Sequence, residues 1–269
     1  MILLLSGCLT LDFLIFGAPE VDSYAFDNEL VPDELIEVVP FESLDGTQLY
    51  GAWAHQPVAD RPVLVFFHGR GANMEGVWDR VEFYWGWGYE VFVFDYRGFG
   101  ASEGESTAAG VLEMDGLAAV RFVSEWTGQP PESIDWVSLS LGASVATHTS
   151  DEIGAHAIVL ESMFASADYL VDSSASLDFA PGWFWAEEFD NVREIAKITA
   201  PVLIVHGLAD DFIDPDSALQ LYAAAPAPKQ LWRPEGVGHA DLHEVEPEAF
   251  TARALDFFAN PTEQVPPPL

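Results

Sequence analysis

Four short segments carry side chains whose types and order could break an acyl bond: His68-Gly69, Ser138-Leu139-Ser140-Leu141-Gly142, Asp210 and His239. A serine hydroxyl is a weak nucleophile until a base removes its proton, and neutral imidazole suits that task near neutral pH. Ser140 is the candidate nucleophile, because it lies between an apolar run and the small residues Gly142-Ala143-Ser144. A strand-to-helix turn that exposes a nucleophile needs small neighbours, since the two backbones approach closely there. Serine at position 138 departs from the G-x-S-x-G motif by placing a Cβ where glycine is usual. His239, in Gly236-Val237-Gly238-His239, is the candidate base, with His243 in reserve. His68 and His206 end apolar runs, where orienting a loop by hydrogen bonding is the expected role.

The imidazole must be held in one tautomer and its cation stabilised, which is the work of a buried carboxylate. Asp210, Asp211 and Asp214 all follow the apolar run Pro201 to Val205, and the residues alone leave the three open. A tetrahedral intermediate also needs donors aimed at its oxyanion. The amide of Leu141, next after the nucleophile, is one; the second is expected from the loop after His68-Gly69, at the amide of Arg70. The Arg70 side chain either faces solvent or meets an anionic group of the substrate. His239 and His243 form an HxxxH pair with no glutamate after the first histidine and no further ligand set, so no metal site is expected.

These residues require a scaffold that presents them at strand ends. Leu35 to Phe41 and Thr47 to Ala54 are rich in β-formers around Asp45-Gly46 and predict a hairpin. Pro62 to Phe67, Glu90 to Phe94, Ile134 to Leu139, Ala157 to Leu160, Pro201 to Val205 and Gln230 to Arg233 predict strands, most of them apolar throughout, as in a parallel sheet buried on both faces. Val77 to Trp87 and Thr107 to Trp126 predict crossover helices. The fold class is α/β, a mostly parallel central sheet flanked by helices, which binds ligands beyond the carboxyl ends of its strands. Residues 35–260 are expected to form one catalytic domain, preceded by an N-terminal segment and acidic surface linker over 1–34 and followed by a disordered tail over 261–269.

The chain order of serine, acid and histidine, with the elbow around Ser140, resembles the α/β-hydrolase superfamily. Within it the chain is similar to short-lid serine hydrolases that include monoacylglycerol-lipase-like, depalmitoylase-like and serine-aminopeptidase-like members. The resemblance runs from about Leu35 to Ala259 and takes in Asp95-Tyr96-Arg97-Gly98-Phe99-Gly100-Ala101-Ser102-Glu103-Gly104, a loop that is usually structural. It implies that Asp210 is the acid of the triad, that no metal or organic cofactor takes part, and that a short lid inserts at about 162–198. Phe164, Tyr169, Phe179, Trp183, Phe184 and Trp185 fall in that lid, where they either line an acyl pocket or pack beneath it. The expected activity is hydrolysis of small acyl esters through an acyl-enzyme. Peptidase, thioesterase and acyltransferase activities share that chemistry, and a catalytically silent binding protein of the cell envelope is the alternative from another class.

Composition bounds the partners. Ten Lys and Arg face 44 Asp and Glu, a formal net charge of -34, so the surface repels phosphate backbones and nucleic acid is not an expected partner. The single cysteine, Cys8, excludes an intrachain disulfide and a thiolate metal cluster. Leu5-Ser6-Gly7-Cys8 resembles a bacterial lipoprotein processing box, although only seven residues precede Cys8 and none is basic. The expectation is a lipid-anchored protein of the cell envelope, with a cytoplasmic location as the alternative. Nothing in the sequence specifies an oligomeric state.

Overall fold

The structure, a computed structural model, describes residues 19–27, 29–106, 109–173, 189–226 and 228–263. Cys8, most of the expected tail, and Phe179, Trp183, Phe184 and Trp185 lie outside the described residues. The body opens on an antiparallel hairpin of β1 (Ile36–Glu42) and β2 (Gln48–Ala54). Its turn passes through Gly46 at φ +86°, a left-handed conformation that costs glycine little. Six further strands follow: β3 (Val63–Phe67), β4 (Glu90–Asp95), β5 (Asp135–Leu139), β6 (Ala157–Glu161), β7 (Val202–Val205) and β8 (Lys229–Trp232). They make one sheet in the order β1-β2-β4-β3-β5-β6-β7-β8. The β1–β2 and β2–β4 pairs are antiparallel and the other pairs parallel.

The helices are α1 (Trp78–Trp85), α2 (Ala109–Thr127), α3 (Leu141–Ile153), α4 (Ala167–Ser173), α5 (Asn191–Ile195), α6 (Asp216–Ala224), α7 (Leu242–Val245) and α8 (Pro247–Ala259). Alternate residues of β3 show how the sheet is covered. Val63, Val65 and Phe67 belong to a core with Leu112 and Val120 of α2, Val145 of α3 and Leu221 of α6. Leu64 and Phe66 belong to a second core with Val81 and Tyr84 of α1 and Phe250 and Phe257 of α8. Both faces of the strand are thus buried, which is why its sequence is a continuous apolar run and not an alternating one. Among the described residues no helix is long and apolar enough to cross a membrane.

The acidic stretch before β1, expected to be a surface linker with little core, is fastened to the body. Val31 is buried, Phe26 stacks on Trp78 with ring centroids 4.0 Å apart, and the Tyr24 hydroxyl donates to Asp95 Oδ2 at 2.7 Å. The loop from Asp95 to Gly104 is structural, as the resemblance implied. The Arg97 guanidinium is paired with buried Asp115 at 2.7 Å, and the Arg97 amide donates to the same carboxylate at 2.9 Å. In the segment expected to be a lid, α4 and α5 are described, and residues 174–188 between them are not.

Candidate active site

Ser140 sits between β5 and α3 with φ 53° and ψ -115°. A positive φ is rare for a residue with a Cβ and marks a backbone held by its surroundings. Gly142, on the first turn of α3, explains what holds it: a Cβ there would stand 2.1 Å from the Phe67 carbonyl oxygen and 2.5 Å from that of His68. The close approach of β3 to the helix is therefore possible only with glycine. Ser138, the departure from the usual motif, is accommodated. Its side chain is fully buried and its hydroxyl donates to the Val159 carbonyl at 2.8 Å, tying β5 to β6.

His239 and Asp210 come from the loops after β8 and β7. The Asp210 Oδ2 atom lies 2.8 Å from His239 Nδ1, and His239 Nε2 lies 3.2 Å from Ser140 Oγ. A carboxylate accepts only, so Nδ1 carries the proton and the Nε2 lone pair faces the serine. Of the three carboxylates left open by the residues, Asp210 meets His239, while Asp214 accepts from the Tyr169 hydroxyl at 2.9 Å. His243 does not serve in reserve, because its Nε2 is 2.9 Å from Asp79 Oδ2.

The Asp210 carboxylate is satisfied on every side. Its Oδ1 accepts the amides of Phe212 and Ile213 at 3.0 and 2.9 Å, and its Oδ2 also meets His206 Nε2 at 2.9 Å. Around His206 Nε2 stand only acceptors, Asp210 Oδ2 and the Ile213 carbonyl, so that nitrogen donates. Burial pushes the Asp210 carboxyl up, but the hydrogen bonds from His206 and His239 outweigh it, helped by the Ile213 amide, and hold it well below the usual carboxylate range.

Ser140 and His239 open into a cavity of about 260 Å³, also lined by Gly69, Arg70, Gly71 and Phe212. Arg70, which lines the same cavity as Ser140, is half-buried with its guanidinium 5.0 Å from the Phe212 ring centroid; burial lowers its pKa. Phe212 in turn meets the His239 ring edge-on at 5.0 Å. The Leu141 amide is the first of α3, among the N–H groups that have no partner within a helix. A larger hollow of about 610 Å³ lies near Glu113, His148 and Glu194. It brings no nucleophile and base together, so the smaller cavity is the functional candidate.

Asp79, His243 and Glu244 bring ligand atoms within 4.8 Å of one another. His243 Nε2 lies 2.9 Å from Asp79 Oδ2, and its Nδ1 is buried without a hydrogen-bond partner.

A protein-family model described as the alpha/beta hydrolase family matches residues 64–187. The uncharacterized protein YfhR of Salmonella typhi is 31% identical over 247 residues, spanning 82% of this chain and 82% of that one. The chain belongs to the α/β-hydrolase family. Among solved structures, an esterase of Pyrococcus furiosus matches with a TM-score of 0.74 at 19% identity, covering 91% of this chain and 98% of that one. An acylaminoacyl peptidase of Pyrococcus horikoshii matches with a TM-score of 0.64 at 14% identity, covering 86% of this chain and 42% of that one. At these identities the likeness is one of fold.

Sequence reasoning missed two parts of this α/β-hydrolase's site. His206 was expected to orient a loop, but its partner was not foreseen; the i, i+4 spacing of His206 and Asp210 across a strand end was the available signal. Phe212 had no signal, since its place between Arg70 and His239 follows from the turn that Asp210 Oδ1 caps.

Proposed function

We propose that the protein is a serine hydrolase of small carboxylic esters, with Ser140 as nucleophile, His239 as base and Asp210 as orienting acid. The observation that carries this reading is the unbroken chain from Asp210 Oδ2 through the His239 ring to Ser140 Oγ, with contacts of 2.8 and 3.2 Å. Ser140 Oγ attacks the ester carbonyl as its proton passes to His239 Nε2. The amides of Leu141 and Arg70 receive the oxyanion, and His239 returns the proton to the departing alkoxide. Water, deprotonated by the same nitrogen, then attacks the acyl-enzyme and releases the acid and Ser140. The ionised Asp210 stabilises the imidazolium in both halves.

The small-acyl reading follows from the short lid that the resemblance implies, and the cavity of about 260 Å³ beside Ser140 has room for such a group. Thioesters and amides would pass through the same intermediate, so the leaving group is decided by assay. A panel of p-nitrophenyl esters of graded acyl length, with aminoacyl p-nitroanilides beside it, is expected to give the highest kcat/KM on the short esters. A preference for the longest chains would refute the small-acyl reading, and a preference for the anilides would make the protein a peptidase.

A further inference from the structure

Resting on the triad reading above, we propose that the buried Arg80–Glu161 pair is a positioning strut that fixes the His239 loop against the Ser140 turn. Glu161 ends β6, and its main-chain carbonyl accepts the Ser140 amide at 2.9 Å. Its carboxylate receives both arms of the Arg80 guanidinium, Nη1 to Oε2 at 2.8 Å and Nη2 to Oε1 at 3.1 Å. Arg80 Nη2 also donates to the carbonyl of Ala240, the residue after His239. A continuous line of hydrogen bonds and one ion pair thus joins the nucleophile's backbone to the base's backbone.

Stability alone does not account for this pair. The Arg80 and Glu161 side chains are only 4% and 2% exposed, and an ion pair that deep is seldom more stabilising than well-packed apolar residues of similar volume. Apolar residues lack a donor for the Ala240 carbonyl. The rigid guanidinium fork serves the carboxylate, that carbonyl and the Tyr84 hydroxyl, the last at 3.2 Å, which a single ammonium cannot do in the same geometry. The loop needs such a hold, since Gly236 and Gly238 flank its approach to His239 and glycine restrains a backbone least. Asp79, next to Arg80 on α1, meets His243 at 2.9 Å and so ties down α7, the helix that follows this loop. A misplacement of about 1 Å between catalytic groups can cost about 100-fold in rate.

The test is the Arg80→Met/Glu161→Met double variant, which removes both charges together and leaves the main-chain carbonyl that accepts the Ser140 amide. It is compared with wild type for Tm, for kcat and KM on p-nitrophenyl acetate, and for amide hydrogen exchange across residues 236–243. The expected result is a folded protein with kcat lower by about 10–100-fold, KM within about 2-fold, and faster exchange confined to that loop. Wild-type kcat and loop protection in the folded double variant would overturn the proposal. So would an even loss of protection through the sheet, with kcat falling only as the folded fraction falls. If the double variant does not fold, Arg80→Lys decides: faster exchange confined to the loop supports the strut, and unchanged loop exchange overturns it. If wild-type protein turns over no ester, the triad reading fails, and the exchange comparison still decides the strut.

Discussion

In the proposed mechanism Asp210 is the residue on which the chemistry turns, because one carboxylate oxygen holds two imidazoles, those of His206 and His239. Its folded pKa lies below the ordinary value of about 3.9, so its contribution to stability is present above that value and is lost as pH falls through the folded pKa. Replacing His206 with Phe removes one of the hydrogen bonds that lower it. His206→Phe is therefore expected to lose about 1.5–3 kcal/mol near neutral pH, and its acid unfolding should begin at higher pH than in wild type. Denaturant melts at a series of pH values check both; an unchanged acid limb would mean that His206 does not set the carboxyl's charge. Asp210→Asn should keep the fold but lower kcat by about 10⁴-fold, the loss expected when the orienting group no longer fixes the imidazole tautomer. A loss of under 10-fold in a kcat assay would remove Asp210 from the triad.

The elements that present these residues were legible in the sequence to unequal degrees. Val63 to Phe67 and Ala157 to Leu160 announce themselves as buried parallel strands, since helices on both faces leave no polar positions to alternate with. Ser140, Asp210 and His239 stand out in the sequence because each follows a predicted strand, and these strands are β5, β7 and β8, which end on the same side of the sheet. The fastening of the acidic arm was not, because Tyr24 finds Asp95 at 71 residues' separation and no local period encodes such a contact. Nor was the role of Ser138, whose partner carbonyl belongs to the neighbouring strand β6. The elbow itself rests on glycine at 142, where a Cβ would meet two backbone oxygens of β3's exit that cannot step aside. Gly142→Ala is expected to destabilise by at least about 1–3 kcal/mol and to distort the Ser140 turn, lowering both Tm and activity. A variant with wild-type Tm and kcat would show that β3 and α3 are less tightly apposed than the structure has them.

At the scale of the whole molecule the charge of -34 dominates. Two of the ten cationic side chains, Arg80 and Arg97, lie buried in ion pairs and neutralise little of the surface. Self-repulsion among exposed carboxylates opposes the compact state and is screened as the Debye length falls from about 30 Å at 0.01 M salt to about 3 Å at 1 M. Tm should therefore rise with sodium chloride over that range, and a Tm that falls with salt would contradict the repulsion. None of this bears on the proposed reaction, whose candidate cavity is lined by a few residues at one end of the sheet.

The central claim is that Ser140 is an activated nucleophile, and covalent labelling of the folded protein by a fluorophosphonate measures it most directly. Wild-type protein should be labelled at Ser140 in one-to-one stoichiometry, Ser140→Ala should not react, and His239→Ala should react far more slowly. Failure of well-folded wild-type protein to label, or equal labelling of wild type and Ser140→Ala, would contradict the account and favour a silent binding protein built on the hydrolase fold.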